Sequence, residues 1–486
     1  MDTMIRTIFT FVILGMLTCF STVAQTKDVS QHENFFGIDR THNIIVCHQS
    51  LTDSLLEKKN TLSTIDFGSD TFIFKEDQLA LHTTKVYEVT QKEDTFQLFV
   101  TGLPILKIVA TDSIKDEPKT NAMLSYADSI VQFTSQIAIE WRGNSALKYP
   151  KKSYDLELRK DSIGTLTIDQ SLGGLRNDDD WLLNSLYNEP LKIRSYVATK
   201  LWLDVRDSAK NKGDNRKKAS NDLTFAEVFL NGAYEGVYLL SEQVDRKQLE
   251  LKKMQNDTVY GALYKANSFA NASSFKSAPT FNNAFPHWAG FEMKYPYENF
   301  EAHWEHIYQF VALVAGDDDE KFTASIEQNL DIDNAIDYFL FVNLVRATDN
   351  LGKNYYLARH SNNAPYLFIP WDLDGTMGYI QDAKRIETTG DMLSNGLFDR
   401  LLTANPANYR SRLKKRWEEL RAGVYSDDAL FNRLDETYSF LKEQQIYERD
   451  QLRWPRASTT ETELRYLQNW MEKRIRFLDA LCAGFD

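Results

Sequence analysis

Residues 346–378 read R-A-T-D-N-L-G-K-N-Y-Y-L-A-R-H-S-N-N-A-P-Y-L-F-I-P-W-D-L-D-G-T-M-G. An acid, Asp349, stands five residues before an amide, Asn354. An apolar run, Tyr366 to Trp371, then ends on Asp372 and Asp374, followed by Gly375. The aromatic and β-branched content of that run predicts a strand. The 23-residue interval from Asp349 to Asp372 leaves room for a loop, a strand pair and a return to the same cleft. Taken singly, each Asp or Asn reads as a turn residue satisfying its own backbone. Taken together, carboxylates at the end of an apolar hairpin are costly unless a cation neutralises them. Hard oxygen donors of this kind suit magnesium, manganese or calcium.

An acid, a nearby amide and a second acid beyond a hairpin are what phosphoryl transfer asks of a protein. Asp349 would orient an acceptor hydroxyl, and Asn354 and Asp372 would hold a divalent ion on nucleotide phosphates. Asp374 would share or support that metal site. Three further residues are candidates for the nucleotide. Lys152 opens a predicted strand, so its ammonium either reaches the phosphates or remains a solvated strand-start lysine. Lys151, its neighbour, points to the opposite face. Arg142, with the turn Gly143-Asn144-Ser145, offers a guanidinium fork and backbone N–H groups. Glu242 follows the strand Val237–Leu240 and begins either a hinge facing an adenine edge or a helix whose dipole favours the acid. Arg194 either reaches the cleft or pairs with Glu189. His303 and His306, three residues apart without a third ligand, read as ordinary surface or core histidines. The runs 178–180 and 317–319, each three aspartates, read as solvated loops.

The chain has 486 residues, 43% of them hydrophobic and 13% aromatic, which supports a large core and more than one domain. Its formal charge of −13 argues against nonspecific nucleic-acid binding. A local cationic cleft remains compatible with it. The N-terminus carries Arg6, an apolar run from Ile8 to Phe20 and the small-residue exit Thr22-Val23-Ala24. This predicts a cleaved signal peptide over residues 1–24 and a secreted, periplasmic or cell-surface protein. An uncleaved anchor or lipidation at Cys19 are the lesser alternatives. After cleavage Cys47 and Cys482 remain, either as one disulfide joining the chain ends or as two buried thiols.

Residues 25–100 predict a β-rich N-terminal module without a chemical motif. Strands are expected at 104–109, 137–141 and 153–158, and a helix from Leu191 to Val205 after Pro190. Asn231-Gly232 between two apolar runs predicts a hairpin. A helix is expected over 242–250, and the regions 300–350 and 392–486 read as mostly helical. The order is a β-rich part with one inserted helix, then a helical part containing a short hairpin.

The segments L-P-I-L-K-I, I-E-W-R-G-N-S, Y-P-K-K-S-Y-D-L-E-L, V-F-L-N-G-A-Y-E-G-V-Y-L-L-S-E-Q-V-D, A-T-D-N-L-G-K-N-Y-Y-L and I-P-W-D-L-D-G-T-M-G resemble the CotH kinase family over about residues 103–400. The resemblance implies an α+β, two-lobed, atypical protein-kinase-like fold over 101–400. Its N-lobe would span about 101–245, its C-lobe would start near 246, and residues 401–486 would form a helical completion of that lobe. It further implies ATP with Mg2+ or Mn2+, Asp349 as catalytic acid, Asp372 as metal ligand and Lys152 as the phosphate-reaching lysine. The acceptor would be a Ser or Thr hydroxyl on an exported protein. Ala347-Thr348 departs from the His-Arg that precedes the acid in ordinary protein kinases, and Asp374 stands where they have Gly. Two other outcomes stay open: a non-catalytic coat or surface protein on the same fold, and transfer of AMP instead of phosphate.

Overall fold

The structure is a computed structural model that describes residues 32–485, except 59–60, 162–165, 209–219, 298–300, 381, 383 and 456–458. The expected signal segment, Cys19 and the whole basic stretch 210–218 lie outside the described residues. The fold mixes α and β structure, with a β-rich N-terminal region.

The first sheet takes β1 (Phe36–Asp39), β2 (Ile44–His48), β3 (Leu62–Phe67), β4 (Asp70–Gln78), β5 (Val86–Gln91) and β6 (Asp94–Thr101), in the order β1-β2-β6-β5-β4-β3. A helix, α1 (Gln49–Lys58), follows β2, so this region is not purely β as expected. Together with β3, β4 and β5 it forms the connection after which β6 runs parallel to β2. One face of the sheet buries Ile45, Phe72, Val89 and Leu98, and the other sets Ile44, Val46 and Phe99 against Ile105, Phe229 and Tyr234.

Those last three residues belong to a closed barrel. Its strands are β7 (Ile105–Ala110), β8 (Thr120–Ala127), β9 (Gln132–Arg142) and β10 (Ser153–Arg159). After the minor pair β11 (Gln170–Ser171) and β12 (Asn177–Asp178) come β13 (Asp180–Asn184), β14 (Leu223–Leu230) and β15 (Ala233–Glu242). The barrel order is β10-β13-β15-β14-β7-β8-β9, with β14 and β7 parallel. In β10, Tyr154, Leu156 and Leu158 alternate into the barrel core while Asp155 and Glu157 do not. The β14–β15 hairpin turns on Asn231 and Gly232, both at positive φ (50° and 81°), as a right-twisted two-residue turn requires. The inserted helix α2 (Arg194–Ser208) starts four residues after Pro190.

The remainder is not helical with a single hairpin. It contains a five-stranded antiparallel sheet of β16 (Ala262–Ala266), β17 (His287–Trp288), β18 (Phe291–Tyr295), β19 (Tyr355–Arg359) and β20 (Leu367–Pro370), ordered β17-β18-β16-β19-β20. Residues 242–250, expected as a helix, end β15 and continue as turns. The helices are α3 (Glu305–Ala315), α4 (Asp319–Asn329), α5 (Ile332–Val345), α6 (Gly396–Ala404), α7 (Tyr409–Arg421), α8 (Asp427–Glu443), α9 (Ile446–Arg453) and α10 (Thr460–Ala483). Buried on nearly every side, α5 is mostly apolar, with Asn334, Asp337 and Asn343 buried among its apolar residues, and forms the centre of the largest core. Each fully buried Leu or Phe there contributes about 1.5–3 kcal/mol. None of the described helices is long and apolar enough to cross a membrane. Cys47 in β2 and Cys482 in α10 are buried free thiols, so the second of the two cysteine alternatives holds.

Candidate functional site

Helix α5 starts on the Asp331 side chain, which accepts the Asn334 N–H, and stops on Arg346 in the left-handed conformation (φ 53°). Such a stop is unusual for a residue with a Cβ. Arg346 is held there by a two-pronged pair with Asp391 at 2.9 and 2.7 Å. The chain then makes a single 3-10 turn, Thr348–Leu351, that carries Asp349. Three residues later, Asn354 adopts φ 58°, and its N–H donates to the Ala266 carbonyl of β16 at 2.8 Å. Asp372, just past β20, also sits at positive φ, 56°. Side chains that can bind their own backbone tolerate this conformation, which elsewhere stores strain.

One buried amide fixes both of these segments. Asn350 Nδ2 donates to the Asn354 carbonyl at 2.6 Å and to the Trp371 carbonyl at 3.1 Å, and the Trp371 N–H donates to the Asn354 carbonyl at 2.9 Å. Tyr338 Oη, from α5, donates to the Asn350 carbonyl at 2.7 Å. Asn354 and Asp372 are thus presented by backbone that is tied together beneath them. Deeper in, Asp374 accepts from Asn188 Nδ2 at 2.7 Å. The loop after Asp374 is pinned by Met377, whose N–H donates to the Val345 carbonyl at 2.7 Å. Its carbonyl accepts from Arg194 Nε at 3.3 Å. Arg194 is buried and paired with Glu189 at 2.5 Å, so it supports this loop from behind.

Asp349, Asn354, Asp372 and Asp374 line one cleft of about 1330 Å³ between the barrel and the five-stranded sheet. Asn354 Nδ2 lies 3.5 Å from Asp349 Oδ2, and Lys353 Nζ pairs with the same oxygen at 2.8 Å. Burial, then the neighbouring charges of Asp372 and Asp349, push the Asp374 carboxyl well above the usual carboxylate range, against the Asn188 hydrogen bond. Three carboxylates thus line the same cleft, and Lys353 pairs with one of them. The donors are all oxygen, a set that fits a magnesium- or manganese-sized ion.

Arg142, at the end of β9, also lines the cleft. Its Nη1 donates to Asn184 Oδ1, and its guanidinium lies 5.9 Å from the Trp371 ring. Lys152 does not join the site. Its Nζ donates to the Leu147 and Tyr149 carbonyls at 2.7 and 2.6 Å and covers the Trp141 ring at 5.2 Å. The turn before β10 folds back under this ammonium and takes it up. Lys151 points the other way into the interior, donating to the Val237 carbonyl at 2.7 Å. The Glu242 carboxylate is likewise withdrawn, accepting the Arg176 and Asp222 N–H groups at 3.0 Å each. The residues after it, Gln243 to Lys247, do line the cleft.

The run 178–180 is not a solvated loop. Asp178 and Asp179 are buried and, with Asp169, bring carboxylate oxygens within 4.8 Å of one another. Lys247 Nζ already stands among them, at 2.6 Å from Asp179, 3.4 Å from Asp178 and 3.6 Å from Asp169. Arg176 pairs with Asp178 as well. In the run 317–319, Asp318 caps α4 by accepting the Lys321 N–H.

Asn188, Asn350, Lys265 and Lys353 were not singled out from the sequence. Of these only Lys353 carried a local signal, its four-residue spacing from Asp349.

A family model described as CotH kinase protein matches residues 139–478, further toward the C-terminus than the quoted segments reach. Inner spore coat protein H of Bacillus subtilis (strain 168) is 23% identical over 283 residues, 58% of this chain and 68% of that protein. With well over half of its length inside the family match, the chain belongs to the CotH kinase protein family.

Proposed function

We propose that the chain is a two-lobed, kinase-like phosphotransferase that moves the γ-phosphate of ATP to a Ser or Thr hydroxyl of an exported protein. The barrel and the five-stranded sheet with its helices would be the two lobes. The observation that carries this reading is the convergence of Asp349, Asn354, Asp372 and Asp374 on one cleft, on backbone tied together by Asn350. Carboxylates gathered at that point are costly in themselves and become useful when a divalent ion and a polyphosphate share the cleft.

In this reading Asp349 accepts a hydrogen bond from the acceptor hydroxyl and aligns its oxygen with the γ-phosphorus. A bond forms between that oxygen and phosphorus, the bond to the β–γ bridging oxygen breaks, and ADP leaves. The hydroxyl proton passes to Asp349 and from there to solvent. Lys353, paired with Asp349 at 2.8 Å, fixes that carboxylate in direction. Asn354, Asp372 and Asp374 would hold a divalent ion, which would supply neutralisation of the phosphate charge. Arg142 approaches from the barrel side, where its guanidinium can fork to phosphate oxygens. Gln243 and Val244, after β15, line the part of the cleft where a base edge would meet backbone. The N-terminal segment 1–24 and the coat-protein name of the Bacillus relative favour an exported acceptor.

The test uses the purified chain, a Ser- and Thr-containing acceptor and Mn2+, with ATP labelled at either phosphate. The expected outcome is label from the γ position and none from the α position. Label from α would replace this reading with AMP transfer. No label and no nucleotide binding would replace it with a binding or coat role.

A further inference from the structure

With Lys152 bound to its own loop, the cleft must find its phosphate-facing cation elsewhere. Four lysines line it: Lys247, Lys265, Lys294 and Lys353. Lys247 is held by Asp179 at 2.6 Å, Lys294 by Glu292 at 2.5 Å and Lys353 by Asp349 at 2.8 Å. Among the described residues Lys265 has no such ion pair or hydrogen bond. It sits on β16, the middle strand of its sheet, opposite Tyr356 on one side and Glu292 on the other. The next residue, Ala266, takes the Asn354 N–H. Lys265 is therefore fixed one residue from the backbone that holds a proposed metal ligand.

The Lys265 face of the sheet continues into the Tyr356 ring, which meets the Trp371 ring edge-on at 5.5 Å, and Arg142 covers that ring from the barrel side. A cation from the sheet and a cation from the barrel thus flank the same aromatic floor beside Asp372. Burial lowers the Lys265 ammonium to about 8, with the positive charges of Lys294 and Arg142 adding to the effect and Glu292 and Asp372 opposing it. A cation held with little compensation gains more from an anionic ligand than a solvated one does.

We propose that Lys265 is the lysine that binds the polyphosphate of a nucleoside triphosphate, closing on it from the sheet while Arg142 closes from the barrel. The proposal rests on the nucleotide reading of the cleft. It differs from the expected layout in drawing the lysine from the five-stranded sheet instead of the barrel.

The test is equilibrium binding of Mn–ATP and of adenosine to the full chain and to Lys265→Met, Lys265→Arg and Lys152→Met. Methionine keeps the length of the stem and removes the charge. One charge-assisted phosphate contact corresponds to about ten- to a hundredfold in affinity. Lys265→Met should lose that much for Mn–ATP and keep adenosine binding within about twofold, Lys265→Arg should recover most of it, and Lys152→Met should bind as wild type. Unchanged Mn–ATP affinity in Lys265→Met, or an equal loss for adenosine, overturns the assignment while leaving the nucleotide reading intact. A wild-type chain that binds Mn–ATP no better than adenosine overturns the nucleotide reading itself, and this proposal with it.

Discussion

Two groups of aspartates in this molecule look alike in sequence and behave differently in space. Asp169, Asp178 and Asp179 crowd their oxygens more closely than any other acid group identified among the described residues, yet Lys247 and Arg176 stand between them. Asp349, Asp372 and Asp374 line one cleft, where Lys353 pairs with Asp349 and where burial, then the charges of Asp372 and Asp349, raise the Asp374 carboxyl. The first group is a staple that joins the segment before β13 to the turns after β15. In the proposed reading the second works together with a divalent ion that the chain does not supply. Proximity of carboxylates is therefore a poorer guide to a metal site than the count of cations already among them.

The largest effect that would sharpen this contrast is expected from Asp372→Ala. Removing a ligand that acts on charge at the reacting phosphate should lower Mn2+-dependent turnover by about a thousandfold or more, with the melting temperature unchanged or raised. A variant that keeps wild-type turnover and wild-type Mn–ATP binding would move the chemistry elsewhere. The opposite pattern is expected at the staple. Lys247→Met should lower stability by about 1 kcal/mol, a modest figure because the side chain is half exposed and screened. Thermal unfolding with and without Mn2+ checks it. If Mn2+ instead raised the melting temperature of this variant above that of wild type, the first group too would be a metal site in waiting, and the contrast would break.

The smallest effect concerns the neighbouring Asp180. Burial, followed by the nearby Asp179, Asp155 and Asp178 charges, pushes its carboxyl up to about 7, against the pull of Lys119. An acid raised on folding holds its proton longer in the folded chain than in the unfolded one. Stability is then fully present below about pH 4 and is lost as pH rises toward 7. Asp180→Asn should remove that loss, raising the melting temperature by about one to three degrees at pH 8 and leaving it unchanged near pH 4. A variant less stable than wild type at pH 8 would show that the charged form is favoured in the fold.

The part of this architecture that could be read from sequence is local in origin. An apolar run marked β9, alternation marked β10, Asn231-Gly232 marked the hairpin, and the 349–374 spacing marked the site because a loop and a hairpin bring its residues together within one short segment. What escaped was set by distant partners. Strands β16 and β18 are five residues each, and β16 joins the hairpin β19–β20 across some ninety residues of chain, so no nearby pattern announces the sheet. Lys265 was invisible for that reason. Lys152 misled for a related one: alternation separates the faces of a strand but does not reveal that the turn from Leu147 to Tyr149 curls back to collect the ammonium. Glu242 and the 178–180 run share this cause, their partners being backbone and lysine brought from elsewhere in the chain.

The barrel has a practical corollary for anyone cutting this chain. β7 and β8 lie ahead of residue 139, where the family match starts, and β9 begins before it, yet β7 bridges β14 and β8 to close the ring. Excising the matched region alone would remove two staves and leave unpaired amides along β9 and β14. Bare edges of that kind recruit other chains, so such a fragment is a candidate for inclusion bodies, and expression should begin upstream of Ile105.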